Sequence, residues 1–430
     1  MSNKLKVAIA GLGNRGLDTY AVELYKYRDE VEIVAIADIR IERLEKGRKL
    51  YKIDEKYCFN SAEEMFKQNK LADIVVIATP DRIHVSQAIS ALERGYDILL
   101  EKPISPDLNE CKKIIETSRK YNRKVVVCHV LRYTPFYRTI KDIVDSGKIG
   151  EVVNIMAIEN VGYFHQAHSF VRGNWRNSTE SSPMILQKCC HDTDILTWIS
   201  GKKSEYVSSM GSTHLFKESK SPQNKVKRCL DGCPVKSSCV YDAEKIYLTN
   251  KNTGILNGVT GWPNSVLTLN PNEDTVRKAL ETGPYGRCVF YCDNDVVDHQ
   301  ELNIQMEDKS TISLTMTGFT ASNSRYLKVM GTLGEIDANM EKNQIILRCF
   351  GKDDVLIDLN NRNLNLSGHG GGDSQLVREF LDYVKGKNIE QIKSITSLEA
   401  SMESHYIALA AEESRIDNGR LIDMKNYRLQ

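Results

Sequence analysis

Short apolar runs alternate with amphipathic stretches through the first 130 residues. Five runs rich in Val and Ile predict strands: "KVAIA", "EIVAIAD", "DIVVIAT", "DILLEK" and "KVVVCHV". They are apolar at successive positions, as strands covered by helices on both faces are. The segments between them carry helix signals, such as Ser61 followed three residues later by Glu64, a capping box. This alternation predicts a parallel sheet with crossover helices.

After residue 130 the pattern changes to longer strands and fewer helices. "TPFYRTIKDIVDSGKIG" predicts a helix, "EVVNIMAIENV" a long strand, and residues 185–200 another helix. Strands separated by turn residues follow beyond about residue 300: "TISLTMTGF", "RYLKVMGT", "GEIDANM", "QIILRCFG" and "DVLIDL". Helical patterns at about 374–386 and 397–417 close the chain. We therefore expect two domains, residues 1–130 and an α+β domain of residues 131–430 with a mostly antiparallel sheet.

Composition and charge narrow the classes of partner. The 430 residues include 58 Lys and Arg against 57 Asp and Glu, so no excess charge attracts nucleic acid or an anionic membrane. The apolar start "KVAIAGLG" is too short and too glycine-rich for a membrane span. We expect a cytoplasmic protein with no nucleic-acid and no membrane partner. Its eleven cysteines, an odd number, favour reduced thiols or metal ligands over a disulfide framework.

A dinucleotide motif follows the first strand. Gly11, Gly13 and Gly16 form G-x-G-x-x-G between a strand and a helix, where the backbone approaches a pyrophosphate. The loop residues Asn14 and Arg15 belong to the same predicted site. The acid that ends the second strand, Asp38, suits the ribose hydroxyls of NAD. Arg40, two residues later, can pair with a 2′-phosphate and leaves NADP open.

Two further motifs carry a resemblance to a known family. "EKP" at Glu101, Lys102 and Pro103 lies at the end of the predicted strand "DILLEK", and "ATPDRIH" at 78–84 lies at the end of "DIVVIAT". With the glycine motif, they make the chain similar to the Gfo/Idh/MocA family of NAD(P)-dependent sugar and polyol oxidoreductases. The resemblance implies an α/β Rossmann domain followed by an α+β domain whose large, mostly antiparallel open sheet lines the substrate cleft and often mediates homo-oligomers. It also implies cofactor contacts from the strand ends, namely from Thr79, Pro80, His84, Glu101 and Lys102.

The resemblance also implies catalytic residues. The family's EKP lysine, which maps to Lys102, points at the substrate, and an Asp four residues before a His reaches the same cleft. Here the His is His191, and the position four before it is Gln187. Glutamine orients a hydroxyl but cannot accept a proton, so the acid/base role falls to His191, Lys102 or a neighbour such as Lys188.

The cysteine pair of "QKCCHDTDILTW" raises a different question, whether the stretch holds a metal or a reactive thiol. On a continuous helix, Gln187 and His191 share a face, while Cys189 belongs with the apolar stripe. Adjacent helical residues lie about 100° apart and cannot both serve one site. We therefore expect packing cysteines, with Asp192 paired to Lys188 one turn away.

Candidate substrate contacts lie in two polar stretches. "ENVGYFHQAHSFVRGNWRN", at 159–177, supplies the aromatic and donor groups that sugars need, and "SGHGGGD", at 367–373, places His369 and Asp373 around three glycines. The alternative for each histidine is a surface side chain whose hydrogen bonds are made without any substrate. The predicted substrate residues are Tyr163, His165, His168, Arg172, Trp175, Arg176 and His369.

A cysteine-containing insertion spans about 214–295. "RCLDGCPVKSSCVYD" places Cys229, Cys233 and Cys239 in a C-x3-C-x5-C pattern, and Cys288 follows later. We expect the insertion to have too few apolar residues for a core of its own, which favours a structural zinc or iron–sulfur site at these four thiols. The alternative is reduced thiols packed as small hydrophobic groups.

Three functions remain open at this point. The first is an NAD-dependent oxidoreductase that moves a hydride between nicotinamide and a secondary hydroxyl of a sugar, polyol or sugar derivative. The second is a glycosidase that oxidises its sugar transiently, eliminates the aglycone and reduces the product with the same nucleotide. The third is a non-catalytic sensor of nucleotide or sugar.

Overall fold

The computed structural model describes residues 4–222, 226–362, 364, 366–387 and 394–430. Residues 223–225, inside the predicted insertion, therefore lie outside the description. Within the described ranges, no helix is long and apolar enough to cross a membrane. Two sheets organise this part of the chain.

The first sheet has six parallel strands in the order β3-β2-β1-β4-β5-β6. The strands are β1 Leu5–Ala10, β2 Val31–Ala37, β3 Cys58–Phe59, β4 Ile74–Ile77, β5 Asp97–Leu100 and β6 Val125–Val127. This is the strand order of the Rossmann fold, in which a ligand binds at the carboxyl ends of the strands where the order reverses. The five predicted strands are confirmed.

Helices cover both faces of this sheet and explain why its strands are apolar throughout. They are α1 Ala21–Tyr25, α2 Ile41–Tyr51, α3 Ala62–Lys67, α4 His84–Glu93 and α5 Leu108–Lys120. A π-helical turn, Gly16–Tyr20, leads into α1. Half of the predicted capping box is present: Ser61 accepts a hydrogen bond from the amide of Glu64 at 3.1 Å, but the Glu64 carboxylate accepts from the Asn60 amide and not from that of Ser61.

The second sheet has nine strands in the order β14-β13-β12-β11-β7-β10-β9-β8-β15. They are β7 Val152–Gly162, β8 Ser204–Ser212, β9 His299–Met306, β10 Thr311–Thr320, β11 Ser324–Gly331, β12 Gly334–Asn339, β13 Gln344–Cys349, β14 Val355–Asp358 and β15 Ile422–Asp423. Only β7 and β10 pair in parallel among these described strands, so the sheet is mixed and mostly antiparallel. The predicted fold class is confirmed.

Helices pack on one face of this sheet and around its ends. They are α6 Pro135–Asp145, α7 Tyr163–His165, α8 Met184–Gln187, α9 Cys190–Ser200, α10 Asn264–Leu267, α11 Glu273–Thr282, the short turn α12 Ser367–Gly370, α13 Gly372–Val384, α14 Leu398–Ile416 and α15 Met424–Tyr427. The predicted continuous helix over 185–200 is wrong at one place, since α8 ends at Gln187 and α9 begins at Cys190. The Gln187 carbonyl accepts from Lys102 Nζ instead of continuing the helix.

The predicted insertion builds an apolar cluster of its own, contrary to our expectation. Its buried members include Phe216, Ile246, Tyr247, Leu248, Val276 and Leu280, and Ala167 and Val171 from the preceding stretch join them. The apolar residues sit in short turns without a regular period, so the sequence pattern hides them. The segment therefore has apolar packing of its own.

Candidate active site

The glycine loop after β1 turns tightly at its first and third glycines and is open at its second. Gly11 has φ +87, and a Cβ there would lie 2.5 Å from the Ala78 carbonyl oxygen. A Cβ on Gly16 would lie 1.8 Å from the Gly11 oxygen. For a Cβ on Gly13, the nearest neighbouring atom would be Arg40 Nη2, at 3.9 Å. The first and third glycines thus close the turn, and the second leaves its surface open, as a pyrophosphate site requires.

Asp38 stands at the end of β2 beside this loop. Its carboxylate accepts from the Leu12 amide at 2.6 Å and from the Arg40 amide at 2.8 Å. The guanidinium of Arg40 lies 3.4 Å from the same carboxylate and is half-exposed. Asp38 therefore fastens the glycine loop to β2 and keeps lone pairs for a ribose, while Arg40 stays next to it at the surface.

The predicted loops after β4 and β5 are held to each other by a buried histidine. The ring nitrogens of His84 lie 2.8 Å from the carbonyl oxygens of Thr79 and Pro103. Thr79 Oγ1 donates to Gln87, and Pro80 precedes the turn that leads into α4. Both ring nitrogens of His84 are thus engaged with backbone.

Arg15 connects the glycine loop to the EKP loop. Its Nε donates to Glu101 Oε1 at 2.7 Å, and its Nη2 donates to Asp373 Oδ1 at 2.7 Å and to Tyr20 Oη at 2.5 Å. Burial alone would raise the pKa of Glu101, but Arg15 and Lys102 bring it below its ordinary value. Glu101 is therefore ionised, and Asn14 lies exposed on the same loop.

Lys102, Gln187 and His191 meet where the two halves of the chain come together. Lys102 Nζ donates to the Gln187 carbonyl at 2.9 Å. His191 is buried, its Nδ1 has no hydrogen-bond partner among the described residues, and its ring lies 5.9 Å from that of His129. Burial and the nearby charge of Lys102 hold the pKa of His191 well below its ordinary value. Its imidazole is therefore neutral.

Lys188 belongs to a four-residue charge cluster that the sequence reasoning missed. Its Nζ lies 3.1 Å from Glu159 on β7, and Arg325 on β11 contacts both Glu159 at 2.7 Å and Asp192 at 2.8 Å. Burial raises the pKa of Glu159, although Arg325 and Lys188 oppose the shift. The predicted pairing of Asp192 with Lys188 is wrong, because each has a closer partner on the sheet.

One sequence feature did mark Glu159. In β7, Ile155, Ala157 and Val161 face the core at every second position, and Glu159 is the single acid in that buried series. A lone buried acid needs a buried base. The alternation of apolar residues in this strand could therefore have identified Glu159 from the sequence.

His369 and Asp373 form a hydrogen-bonded pair at the edge of the same region. His369 Nδ1 lies 2.9 Å from Asp373 Oδ2, and the His369 ring lies 6.5 Å from that of His191. Asp373 is buried, whereas the His369 side chain is 45% exposed. Burial opposes ionisation, yet His369 and Arg15 hold the pKa of Asp373 well below its ordinary value. Asp373 is therefore a carboxylate.

Tyr163 and His165 lie at the carboxyl end of β7. Tyr163 Oη accepts from Asn250 at 3.1 Å, beside an open cavity of about 630 Å³ that Tyr241 and Phe319 also line. His165 Nδ1 lies 2.9 Å from Asn323 Oδ1. Burial and Lys188 hold the pKa of His165 well below its ordinary value, so it is neutral. Of the two, His165 lies close enough to Lys188 for the lysine's charge to act on its ring.

The other members of this stretch face the insertion or the surface. His168 stacks on Tyr285 at 4.7 Å and its Nδ1 lies 2.8 Å from Tyr247 Oη. Arg172 is fully buried and donates to backbone carbonyls of the insertion at 2.6 and 2.7 Å. Trp175 is part-exposed beside Phe170, and Arg176 forms an ion pair with Asp293 at 2.7 Å. The structure does not bring these four together with Lys102.

The predicted metal site at Cys229, Cys233, Cys239 and Cys288 is not supported. The four residues line one small cavity of about 10 Å³. No group of three or more His, Cys, Asp or Glu in the described ranges is placed to hold a metal ion. Arg172 explains the result, because its Nη2 donates to Cys229 Sγ at 3.6 Å and already puts a buried cation beside the thiols.

The pair Cys189 and Cys190 packs in the interior, as predicted. Both are fully buried, and Cys189 joins the main core of the second sheet. Burial raises the pKa of both thiols above its ordinary value, to about 12 for Cys190. Neither is a thiolate at neutral pH, so this stretch holds no reactive cysteine.

Family models match both halves of the chain. Residues 5–129 match the model of an oxidoreductase family with an NAD-binding Rossmann fold. Residues 141–417 match the model of the same family's C-terminal alpha/beta domain. These ranges contain the glycine loop, the EKP loop and His191.

Relatives and solved structures agree with the models. The Bacillus subtilis protein YteT, to which an oxidoreductase role is ascribed, is 23% identical over 401 residues, 87% of this chain and 88% of that protein. Inositol 2-dehydrogenase 4 of Saccharopolyspora erythraea is 28% identical over 48% of this chain and 58% of that enzyme. A crystal structure of an Agrobacterium radiobacter oxidoreductase with NAD+, L-tartaric acid and magnesium shares the fold, with a TM-score of 0.68, 14% identity and 99% of both chains covered. The chain therefore belongs to the Gfo/Idh/MocA oxidoreductase family and carries an NAD-binding Rossmann domain.

Proposed function

We propose that this enzyme oxidises a secondary hydroxyl of a sugar, polyol or sugar derivative and that NAD accepts the hydride. One observation carries the proposal: Lys102, from the NAD-binding half, bonds to the backbone of Gln187 one turn before His191, in the other half. A polar pair thus lies at the junction of the two halves, beside the glycine loop. The inositol 2-dehydrogenase relatives support a polyol or sugar as the class of substrate.

The residues after β1, β2, β4 and β5 would hold the cofactor. Its pyrophosphate belongs over Gly13, and Asp38 would accept from a ribose hydroxyl. Because a 2′-phosphate would meet the Asp38 carboxylate, we assign NAD as the preferred cofactor, with Arg40 available to NADP. When bound, the nicotinamide supplies the hydride acceptor.

Lys102, together with residues of the second half, would orient the substrate. Lys102 keeps two of its three N–H donors beyond the bond to Gln187, so its charge can stabilise an alkoxide as the proton leaves. Neutral His191 and the Gln187 amide would fix the hydroxyl, and Lys188, Tyr163 and His165 would contact the remaining hydroxyls. We place the other predicted contacts, His168, Arg172, Trp175 and Arg176, in the packing of the insertion.

The decisive experiment measures binding and turnover separately. NAD and NADP titrations of the purified protein give the cofactor, and NADH formation from a panel of inositols, hexoses and sugar acids gives the substrate class. We expect tighter binding of NAD than of NADP and turnover on at least one polyol or sugar. Failure to bind either nucleotide would refute the proposal.

The cavity beside Tyr163 favours a second candidate, the redox glycosidase. With aromatic walls and about 630 Å³ of space, it offers a place for a second sugar ring. Product analysis with nitrophenyl glycosides separates the candidates. Net NADH formation supports the dehydrogenase, whereas aglycone release with only catalytic NAD supports the glycosidase. Membership of an oxidoreductase family is against the non-catalytic sensor.

We also propose that the chain forms a homo-oligomer through the open face of the second sheet. That face carries exposed apolar side chains, among them Met156 and Tyr326 on neighbouring strands. Exposed apolar patches mark association surfaces. Light scattering after gel filtration, with Met156→Lys as the variant, tests this surface.

A further inference from the structure

The loss of the family's aspartate at Gln187 leaves the proton of the substrate hydroxyl without an obvious acceptor. His191 is a poor choice, because burial disfavours a charged ring and the charges of Lys102 and Arg325 also oppose a proton there. Lys102 and Lys188 are engaged with Gln187 and Glu159. A better acceptor would be oriented by an acid, lie beside His191 and reach solvent.

His369 meets these three conditions. Its Nδ1 is 2.9 Å from the buried Asp373 carboxylate, its ring is 6.5 Å from that of His191, and nearly half of its side chain is exposed. Asp373, as a carboxylate, accepts only, so Nδ1 carries the hydrogen of this bond. Nε2 is left with the lone pair that a general base needs.

The other oxygen of the Asp373 carboxylate is held by the glycine loop. Arg15 donates to it from Nη2 at 2.7 Å, so the acid that orients the His369 ring is itself fixed in place. The pair is thereby tied to the nucleotide loop and, through Arg15, to Glu101. The cofactor site and the histidine are parts of one hydrogen-bonded unit.

The backbone at His369 points to the same assignment. Residues 368–371 all have positive φ, and His369, with φ 45, is the one that is not glycine. A Cβ on Gly368 would lie 2.9 Å from Asp373 Oδ2, so only glycine lets the turn close over the carboxylate. Side chains held in this backbone region against steric preference cluster at functional sites.

We propose that His369 is the general base of the reaction and that Asp373 is its positioning residue, an assignment that rests on the proposed oxidoreductase function. In the forward direction the substrate O–H bond breaks and its proton moves to His369 Nε2. The C–H bond breaks with its electron pair transferred as hydride to the nicotinamide, and the carbonyl C=O forms. His369 then releases its proton to solvent, and the reverse reaction uses the same proton on Nε2.

The test uses His369→Ala beside a closely matched control. The side chain of His299, on β9, is 41% exposed, against 45% for His369, and its Nδ1 lies 3.0 Å from a buried aspartate, Asp298. Unlike His369, it contacts no candidate site residue in the described ranges. We expect His369→Ala to lower kcat about 10²- to 10⁴-fold, as loss of a general base does, and His299→Ala to leave kcat within threefold. Added imidazole should restore part of the activity of His369→Ala alone.

Two further readouts do not depend on turnover. The NAD affinity of His369→Ala, measured by fluorescence titration, should stay within threefold of the wild type, which separates a lost base from a damaged cofactor site. Diethyl pyrocarbonate should modify His369 and His299 in the free protein, and NADH with the alcohol substrate should protect only His369. Wild-type NAD binding and turnover with an active His369→Ala, or equal protection of both histidines, would overturn this inference alone. Absence of NAD binding by the wild type would overturn it together with the proposed function.

Discussion

Lys102 donates a hydrogen bond from Nζ to the backbone carbonyl oxygen of Gln187, across 2.9 Å and 85 residues of chain. The bond joins the loop after β5 to the interruption between α8 and α9. A carbonyl released from helical hydrogen bonding thereby orients the ammonium that the proposed mechanism uses. The break in the helix and the position of the lysine are one structural feature.

Replacing Lys102 should therefore affect chemistry more than folding. We expect Lys102→Met to lower kcat about 10²- to 10³-fold, because a preorganised donor to a developing alkoxide is lost. The control is Lys113→Met, on the exposed side of α5, which should leave kcat unchanged. Steady-state kinetics with the best substrate of the panel measures both. A Lys102→Met enzyme with more than a tenth of wild-type kcat would argue against the assigned role.

Asp38 should decide between the two nucleotides. Asp38→Asn retains an oxygen for the Leu12 amide but loses the charge, so the glycine loop stays fastened. We expect NAD to bind about tenfold or more weakly, as for loss of a charged hydrogen bond of about 1.5–3 kcal/mol, and NADP to gain relative to NAD. Arg40→Ala should have the opposite effect and weaken NADP binding relative to NAD binding. Equal weakening of both nucleotides in Asp38→Asn, by calorimetric titration, would contradict the ribose contact.

Most strands and helices could be predicted from the sequence because their apolar residues recur at regular intervals. The strand β8 was not predicted, and its burial pattern shows the reason. β8 buries Ser204 and Ser209 where an apolar residue is expected. Ser209 Oγ donates to the Glu301 carbonyl and accepts from Gln300 Nε2 at 2.9 Å, so this hydroxyl is hydrogen-bonded inside the sheet. A buried strand stabilised by such pairs has no apolar alternation to detect.

The site was predicted only where its members lie close together in the sequence. The glycine loop and the EKP lysine follow strands directly, so strand prediction places them. Glu159 was detectable in its strand, but Arg325, its partner, follows 166 residues later. His168 and Arg172 were assigned to substrate because their actual partners, such as Tyr247 and the Arg287 carbonyl, belong to an insertion without a readable pattern.

The charge cluster around Glu159 should contribute to stability. Glu159→Gln leaves Lys188 and Arg325 with one carboxylate, Asp192, and breaking a buried ion pair in this way costs about 3–5 kcal/mol. Urea unfolding at neutral pH measures the loss. Glu151→Gln, exposed just before the same strand, should change the free energy of unfolding by less than about 0.5 kcal/mol.

A double variant separates charge imbalance from lost packing at this cluster. Glu159→Gln with Lys188→Gln removes one acid and one base, so we expect it to recover part of the stability that Glu159→Gln loses. Non-additivity of this kind is what a direct ion pair produces. Additive losses in the two single variants would show that the 3.1 Å contact carries no coupling.

Acid should destabilise the folded chain through its buried histidines, with His168 as the clearest case. Burial, with a smaller contribution from Arg172, lowers the pKa of His168 to about 3. The unfolded chain binds a proton at this residue below about pH 6.5, so between pH 6.5 and 3 the unfolded state binds more protons and stability falls as the pH falls. The slope is about 1.4 kcal/mol per pH unit for each such histidine. The free energy of unfolding, measured in urea from pH 7 to 4.5, should therefore depend less steeply on pH in His168→Gln than in the wild type, by about 1.4 kcal/mol per pH unit. Equal slopes in His168→Gln and the wild type would show that His168 already carries its proton in the folded chain.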